Sequence, residues 1–246
     1  MTSRVVVAGS ANADLVVRVA RRPIGGETLA GSKPVTTPGG KGANQATAAA
    51  LLGADVAFLG CVGRDSHGEL LRGSLGDAGV DTAGLGEVDA PTSVALIVLT
   101  PDGENSIIVC DGANGELTPD FVLANEAVWS DVALVVMQLE VPMASVALLA
   151  GECRRRGIRF LLNAAPAAAV DADVLRACDP LVVNESEAAV LLGVPGAEDA
   201  DQLVSGLLGL GPTSVVLTLG ARGAVAGTAA GERFEQPADP VAAVVD

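Results

Sequence analysis

The chain of 246 residues has no tyrosine, one tryptophan and four phenylalanines. Stacking platforms for single-stranded nucleic acid need several aromatic faces, so Trp129 and the four Phe are expected to be packing residues. The core must then come from Val, Leu, Ile and Ala. There is one histidine, His67. A histidine-dependent triad or a multi-histidine metal centre has no residues to draw on, and His67 reads as a surface helix residue. Cys61, Cys110, Cys153 and Cys178 are widely spaced and form no C-x-x-C pair. Buried free thiols in a reducing cytoplasm are expected, not a disulfide framework. Positive charge is scarce: 15 Lys and Arg face 30 Asp and Glu, for a net charge of −15. That argues against nucleic acid and anionic membranes as partners. It leaves ATP open, since local cations and backbone N–H groups can hold it. Long apolar runs are also lacking. Residues 5–7 are too short for a secretory signal. The most apolar region, residues 132–150, is broken by Glu140 and Pro142 and does not read as a membrane span.

What the chain does have is apolar residues in abundance, half of the total. One large core is expected, and no repeat or low-complexity linker divides residues 1–246 into independent domains. The most informative stretch is Pro38-Gly39-Gly40-Lys41-Gly42-Ala43-Asn44-Gln45-Ala46. Its glycines allow a sharp turn and close approach to a ligand. An Ala-rich run follows, so the loop should open a helix over 41–52. A helix start offers unpaired N–H groups and the positive end of a dipole. Lys41 and Asn44 add a cation and an amide. A polyhydroxylated or anionic small molecule would suit this place.

Taken in order, residues 4–8 read as a buried parallel strand. Asn12 and Asp14 are two apart, so an extended backbone points both to one face. Residues 15–20 and 28–37 look like strands placed before the first helix, an excursion from the main sheet. A strand at 55–60 follows, then a helix to about 77 with Ser66 and Glu69 as a capping box. Strands at 94–99 and 106–110 flank the turn Pro101-Asp102-Gly103, forming a second excursion. The two excursions, about 12–38 and 91–112, could pair into a small sheet. Thr118-Pro119-Asp120 is a helix start. Strands at 132–139, 158–162, 181–183 and 213–219 then alternate with helices at 142–156, 184–192 and 199–208. Arg154–Arg156 reads as a solvated helix end closed by Gly157. A hairpin is expected at 224–227 and 232–236. Asp65, Glu198 and Asp199 read as solvated. The fold class is α/β, a doubly wound sheet with ligands at the carboxyl ends of its strands. Asn12, Glu140, Asn163, Asn184 and Gly220 all fall just beyond predicted strand ends.

Five segments in order resemble the ribokinase family of sugar kinases. They are Gly9-Ser10-Ala11-Asn12-Ala13-Asp14, Gly39-Gly40-Lys41-Gly42-Ala43-Asn44, Gln138-Leu139-Glu140, Asn184-Glu185-Ser186-Glu187 and Thr218-Leu219-Gly220-Ala221-Arg222-Gly223. Each alone is weak, whereas five in order across the chain are specific. The resemblance implies a ribokinase-like, three-layer α/β domain with a small β-sheet lid that also serves as a homodimer interface. It implies ATP-dependent phosphorylation of D-ribose at the 5-hydroxyl. Asn12, Asp14, Gly40, Lys41, Gly42, Asn44 and Glu140 would hold the sugar. Asn184, Thr218, Gly220, Ala221, Arg222 and Gly223 would hold ATP. Glu187 would act near a hydrated Mg²⁺, and Asp246 would lie by a monovalent cation such as K⁺. The family's segment Asp-Thr-x-(Gly/Ala)-(Gly/Ala)-Gly-Asp carries the catalytic base as its last residue. Asp246 matches its first Asp, so the resemblance implies little kinase activity for the polypeptide as written. Another sugar or nucleoside kinase and a non-catalytic sugar-binding protein are the alternatives. A dinucleotide-binding enzyme is disfavoured, because no G-x-G-x-x-G follows the first strand.

Overall fold

The structure is a computed structural model and describes residues 4–103, 105–194 and 199–239. The expected cation ligand Asp246 and the Glu198 carboxylate lie outside the described residues. The chain divides into two compact units, residues 1–132 with 140–142, and residues 133–139 with 143–246.

The first unit opens with β1 (Val5–Ala8), an apolar run without alternation, of which Val6, Val7 and Ala8 are buried. It continues through β2 (Asn12–Arg18), β3 (Val35–Gly39), α1 (Lys41–Leu51), β4 (Val56–Gly63), α2 (Ser66–Asp77) and β5 (Asp81–Val88). β1, β4 and β5 pair in parallel in that order. All eight residues of β4 are buried, as a strand covered on both faces requires. β6 (Val94–Leu99) and β7 (Asn105–Cys110) form a hairpin. With β2 and β3 they make a smaller sheet in the order β3-β2-β6-β7. A 3-10 turn at Ala113–Glu116, then α3 (Pro119–Ala124) and α4 (Glu126–Trp129), follow. Phe58, Leu59, Leu71, Leu75 and Trp129 are fully buried. Each such side chain contributes about 1.5–3 kcal/mol when removed from water. Trp129 buries its indole without cost to the N–H, which donates to the Val122 carbonyl at 3.0 Å.

The second unit contains β8 (Leu134–Met137), α5 (Met143–Arg156), β9 (Arg159–Asn163), α6 (Ala172–Leu175) and β10 (Cys178–Asn184). It continues with α7 (Glu185–Leu192), α8 (Ala200–Gly209), β11 (Ser214–Thr218), β12 (Ala224–Thr228) and β13 (Arg233–Gln236). β8, β9, β10 and β11 run parallel in sequence order, and β12 and β13 continue antiparallel as a hairpin. At the end of α5, Arg155 and Arg156 both bond Glu152, and Gly157 leaves the helix at φ 69°. The basic run is a helix end. The α/β class with a smaller second sheet is the expected one.

Several elements differ from expectation. The strand expected over 28–37 occupies only 35–39. Residues 28–34 contain Gly31 and Pro34 and are mostly exposed. They are tethered by Ser32, whose N–H donates to the Arg18 carbonyl at 2.8 Å and whose hydroxyl accepts from the Arg18 N–H at 3.0 Å. β5 is unforeseen because glycines interrupt it. A Cβ on Gly86 would lie 2.5 Å from the Phe121 ring, so the glycine makes room for that ring. The cap of α2 is Asp65 and not Ser66. Asp65 accepts from the Gly68 N–H at 2.9 Å, from the Thr92 N–H at 2.8 Å and from the Thr92 hydroxyl at 2.7 Å. It is therefore a cap and a cross-link, not a solvated charge. Asn12 is the first residue of β2, and Asn163 and Asn184 are the last of β9 and β10, so these three lie within strands.

Candidate functional site

In the first unit the candidate residues gather where β1 gives way to β2 and β3 to α1. Gly40 is the one residue between β3 and α1, with φ 92° and ψ 135°. Only glycine takes that backbone readily. A Cβ there would sit 2.7 Å from the Asn12 nitrogen and 2.9 Å from the Ala11 Cα. A Cβ on Gly42 would sit 2.7 Å from the Ser10 nitrogen, and one on Gly39 would overlap the Asp14 carboxylate. The glycines thus let the start of α1 nest against residues 9–14, and this contact places Asn12, Asp14, Gly40 and Gly42 together.

Glu140 is held at the same helix start. Its Oε2 accepts from the Ser10 hydroxyl at 2.6 Å and from the Lys41 N–H at 3.1 Å. Its Oε1 lies 3.6 Å from the Lys41 Nζ. Ser10 also accepts from the Gly42 N–H at 3.2 Å. A carboxylate at a helix N-terminus meets unpaired donors and the positive dipole end together. One oxygen is thereby fixed, and the other is left beside a half-exposed ammonium. Asn44 stands one turn along α1 and is exposed.

Two residues of this cluster escaped sequence reading. Ser10 is fully buried and orients Glu140. Asn114 is also buried, in the 3-10 turn after β7. Its Oδ1 accepts from the Ala11 N–H at 3.0 Å, and its Nδ2 donates to Asn12 Oδ1 at 2.7 Å. No local signal marks Asn114, whose partners lie about a hundred residues away in sequence.

In the second unit Asn184 ends β10 and caps α7. Its Oδ1 accepts from the Glu187 N–H at 2.8 Å, and Glu187 Oε2 accepts from the Asn184 N–H at 2.8 Å. This is a reciprocal capping box, and Glu187 is buried within it. Thr218 pairs with Asn184 in register across β10 and β11, and its hydroxyl donates to the Val183 carbonyl at 3.3 Å. The chain then turns through Gly220 at φ 57° and Gly223 at φ 96°. A Cβ on Gly223 would overlap the Gln236 carbonyl, so the turn lies tight against the end of β13. Arg222 reaches back to Glu185 at 2.5 Å, joining the turn to the first residue of α7. Asn184, Glu187, Thr218, Gly220, Ala221, Arg222 and Gly223 therefore form one neighbourhood, in which the Asn184, Glu187, Arg222 and Gly223 N–H groups are bonded within the protein and the Arg222 guanidinium is paired with Glu185. Among the described residues no cluster of three or more His, Cys, Asp or Glu could cage a metal ion.

Residues 2–246 match the model of the pfkB family of carbohydrate kinases. The ribokinase of Schizosaccharomyces pombe is 40% identical over 240 residues, 93% of this chain and 76% of that protein. The ribokinase of Haemophilus influenzae is 38% identical over 226 residues, 91% of this chain and 74% of that one. Among solved structures, Arabidopsis thaliana ribokinase complexed with ribose and ATP superposes with a TM-score of 0.90 at 33% identity. That match covers 100% of this chain and 81% of the other.

Proposed function

Since the chain belongs to the pfkB family of carbohydrate kinases, we propose that it serves ATP-dependent phosphorylation of D-ribose at the 5-hydroxyl. The observation that carries this reading is Glu140, fixed by Ser10 and by the start of α1 beside Lys41. Ribose offers several hydroxyls, each able to donate and accept. Asp14 and Glu140 accept from them, while Asn12, Lys41 and Asn44 donate. A site built to pair hydroxyls rejects analogues that lack them, because its polar groups are then left unmatched. The ribokinases of two organisms at 38% and 40% identity support ribose as the sugar.

The nucleotide belongs to the second cluster. The turn through Gly220 would let the backbone approach phosphate closely, and Arg222, paired here with Glu185, would supply charge. Phosphoryl transfer asks the protein chiefly for positioning and charge stabilisation. Mg²⁺, when bound, neutralises charge on the transferring phosphate. A hydrated ion fits these residues, because Mg²⁺ keeps several waters and needs few protein ligands. Glu187, its carboxylate held by the Asn184 N–H, would take one of those waters. A monovalent cation at Asp246 rests on resemblance alone. The smaller sheet would act as the lid and join two copies of the chain. In its support, β7 leaves Ile107 52% and Ile108 62% exposed, an apolar strand without cover in the single chain. No described helix is long and apolar enough to cross a membrane. The free thiols favour the cytoplasm.

The general base is assigned to none of the described residues, so binding is the first test. Ribose and ATP should each raise Tm through linkage, with fructose and adenosine weaker than ribose. Glu140→Gln should weaken ribose at least about tenfold and leave ATP unchanged. A chain stabilised by adenosine or fructose in preference to ribose would move the assignment to another kinase of the family. Stabilisation by neither sugar nor ATP would end it.

A further inference from the structure

We infer that Asn114 is a positioning residue for the sugar site: it holds the carbonyl end of the Asn12 amide and so turns the NH₂ end toward the ligand. The inference rests on the reading of Asn12 as a sugar ligand. The amide directions follow from hydrogen-bond polarity alone. The Ala11 N–H can only donate, so the Asn114 atom it meets at 3.0 Å must be the oxygen. The other end of Asn114 is then NH₂, which can only donate. The Asn12 atom it meets at 2.7 Å must therefore be the carbonyl oxygen. What remains of Asn12 is its NH₂, for which no acceptor is found among the described residues. Asn114 is itself pinned, since its backbone N–H donates to the Ser93 hydroxyl at 3.2 Å. Asn114 and Asn12 are 6% and 3% exposed, so water cannot easily take over either bond.

The consequence is selective. Asp14 and Glu140 can only accept when ionised. A fixed donor at position 12 adds what they lack, a group that reads the lone pairs of one ribose hydroxyl. Were the amide free to flip, this reading would be lost half the time.

Asn114→Asp tests the inference with little change of shape. The ionised carboxylate of that variant still accepts from the Ala11 N–H but has no proton for Asn12. The Asn12 amide should then flip, giving its NH₂ to the new carboxylate and its oxygen to the ligand. Ribose affinity, read by titration calorimetry, should fall at least about tenfold, with ATP affinity unchanged. Against 1-, 2-, 3- and 5-deoxyribose, one analogue should bind the variant and the parent protein within about twofold, because it lacks the hydroxyl that Asn12 meets. An equal loss across all five sugars, or none for ribose, would overturn the inference. Side-chain amide hydrogen exchange in the ligand-free protein decides the orientation separately. The Asn114 NH₂ should be the protected one in the parent protein and the Asn12 NH₂ in Asn114→Asp; an Asn12 NH₂ already the better protected in the parent protein overturns it. If the parent protein binds no ribose, the sugar assignment falls while the exchange data still judge the amide. If Asn114→Asp does not fold, Asn12→Asp approaches from the other side. It should keep the Asn114 NH₂ protected and lose ribose affinity to a similar degree; an unprotected Asn114 NH₂ would count against the inference.

Discussion

An alanine at position 40 would put its methyl carbon 2.7 Å from the Asn12 nitrogen, on a backbone at φ 92°. The backbone strain alone costs about 1–3 kcal/mol, and relief would push Asn12 away from α1. Gly40→Ala should therefore lower the urea midpoint and abolish ribose binding together. Gly73, inside α2, is the contrast, because an added methyl would have nothing within 4 Å of it. Gly73→Ala should raise stability by about 0.5–1 kcal/mol, and unchanged or lower stability would show that the helix environment is misjudged. The cysteines separate in the same way. Burial pushes the Cys61, Cys153 and Cys178 thiols up to about 12, whereas Cys110 is exposed on β7. Thiolate is the reactive form. Treating the folded protein with a thiol reagent should label Cys110 ahead of the other three, which react only on unfolding, and Cys110 should react more slowly wherever β7 is covered by a second copy. At this scale the sequence was partly readable. Glycines 40 and 42 advertise themselves by clustering. Ser10 and Asn114 do not, because their value comes from partners brought near only by folding.

Among the elements, α2 shows how a cap can be mistaken. Ser66 followed by Glu69 fits the capping pattern, yet the preceding Asp65 takes the role because Thr92 also needs an acceptor. Burial alone would raise the Asp65 carboxyl, but the Thr92 and Gly68 donors outweigh it and hold it below the usual range. A depressed folded value means stability that is present above the unfolded pKa, about 3.9, and is lost as pH falls through the folded one. Asp65→Asn keeps a cap oxygen but meets the Thr92 N–H with an NH₂ that cannot accept, and should cost about 1–2 kcal/mol at pH 7. Urea melts should show that gap constant from pH 7 to 5 and narrowing below about pH 4. A gap independent of pH down to 3 would remove the carboxylate from the account. Helices α1, α5 and α7 were legible because their glycines, basic ends and caps are local. β5 was not, since Gly84 and Gly86 weaken its strand signal and gain meaning only from the Val128 and Phe121 side chains packed over them.

At the level of the whole molecule, a net charge of −15 and a shortage of aromatic rings argue against nucleic acid as a partner. The α/β class followed from alternating apolar runs. The two excursions were expected to pair and do so through β2 and β6, but the parallel sense of that match is set by tertiary packing and no local pattern announces it. The proposed dimer is tested at this scale. Ile108→Lys on the exposed strand β7 should convert a dimer to a monomer in sedimentation equilibrium while the far-ultraviolet circular dichroism stays unchanged. A parent protein that sediments as a monomer at all concentrations would rule the dimer out.

Strand β3 ends at Gly39 and helix α1 begins at Lys41, so a single residue couples the smaller sheet to the helix that fixes Glu140. If the sheet is the lid proposed above, its swing would be shared by Gly40, within reach of Asn12, and by the other connections at residues 9–11, 89–93 and 111–112. Under that proposal one pivot and the sugar's grip would share a piece of backbone. A pentose seated there would then stiffen one joint of the proposed lid, and closure of that lid would in turn tighten the hold on the sugar.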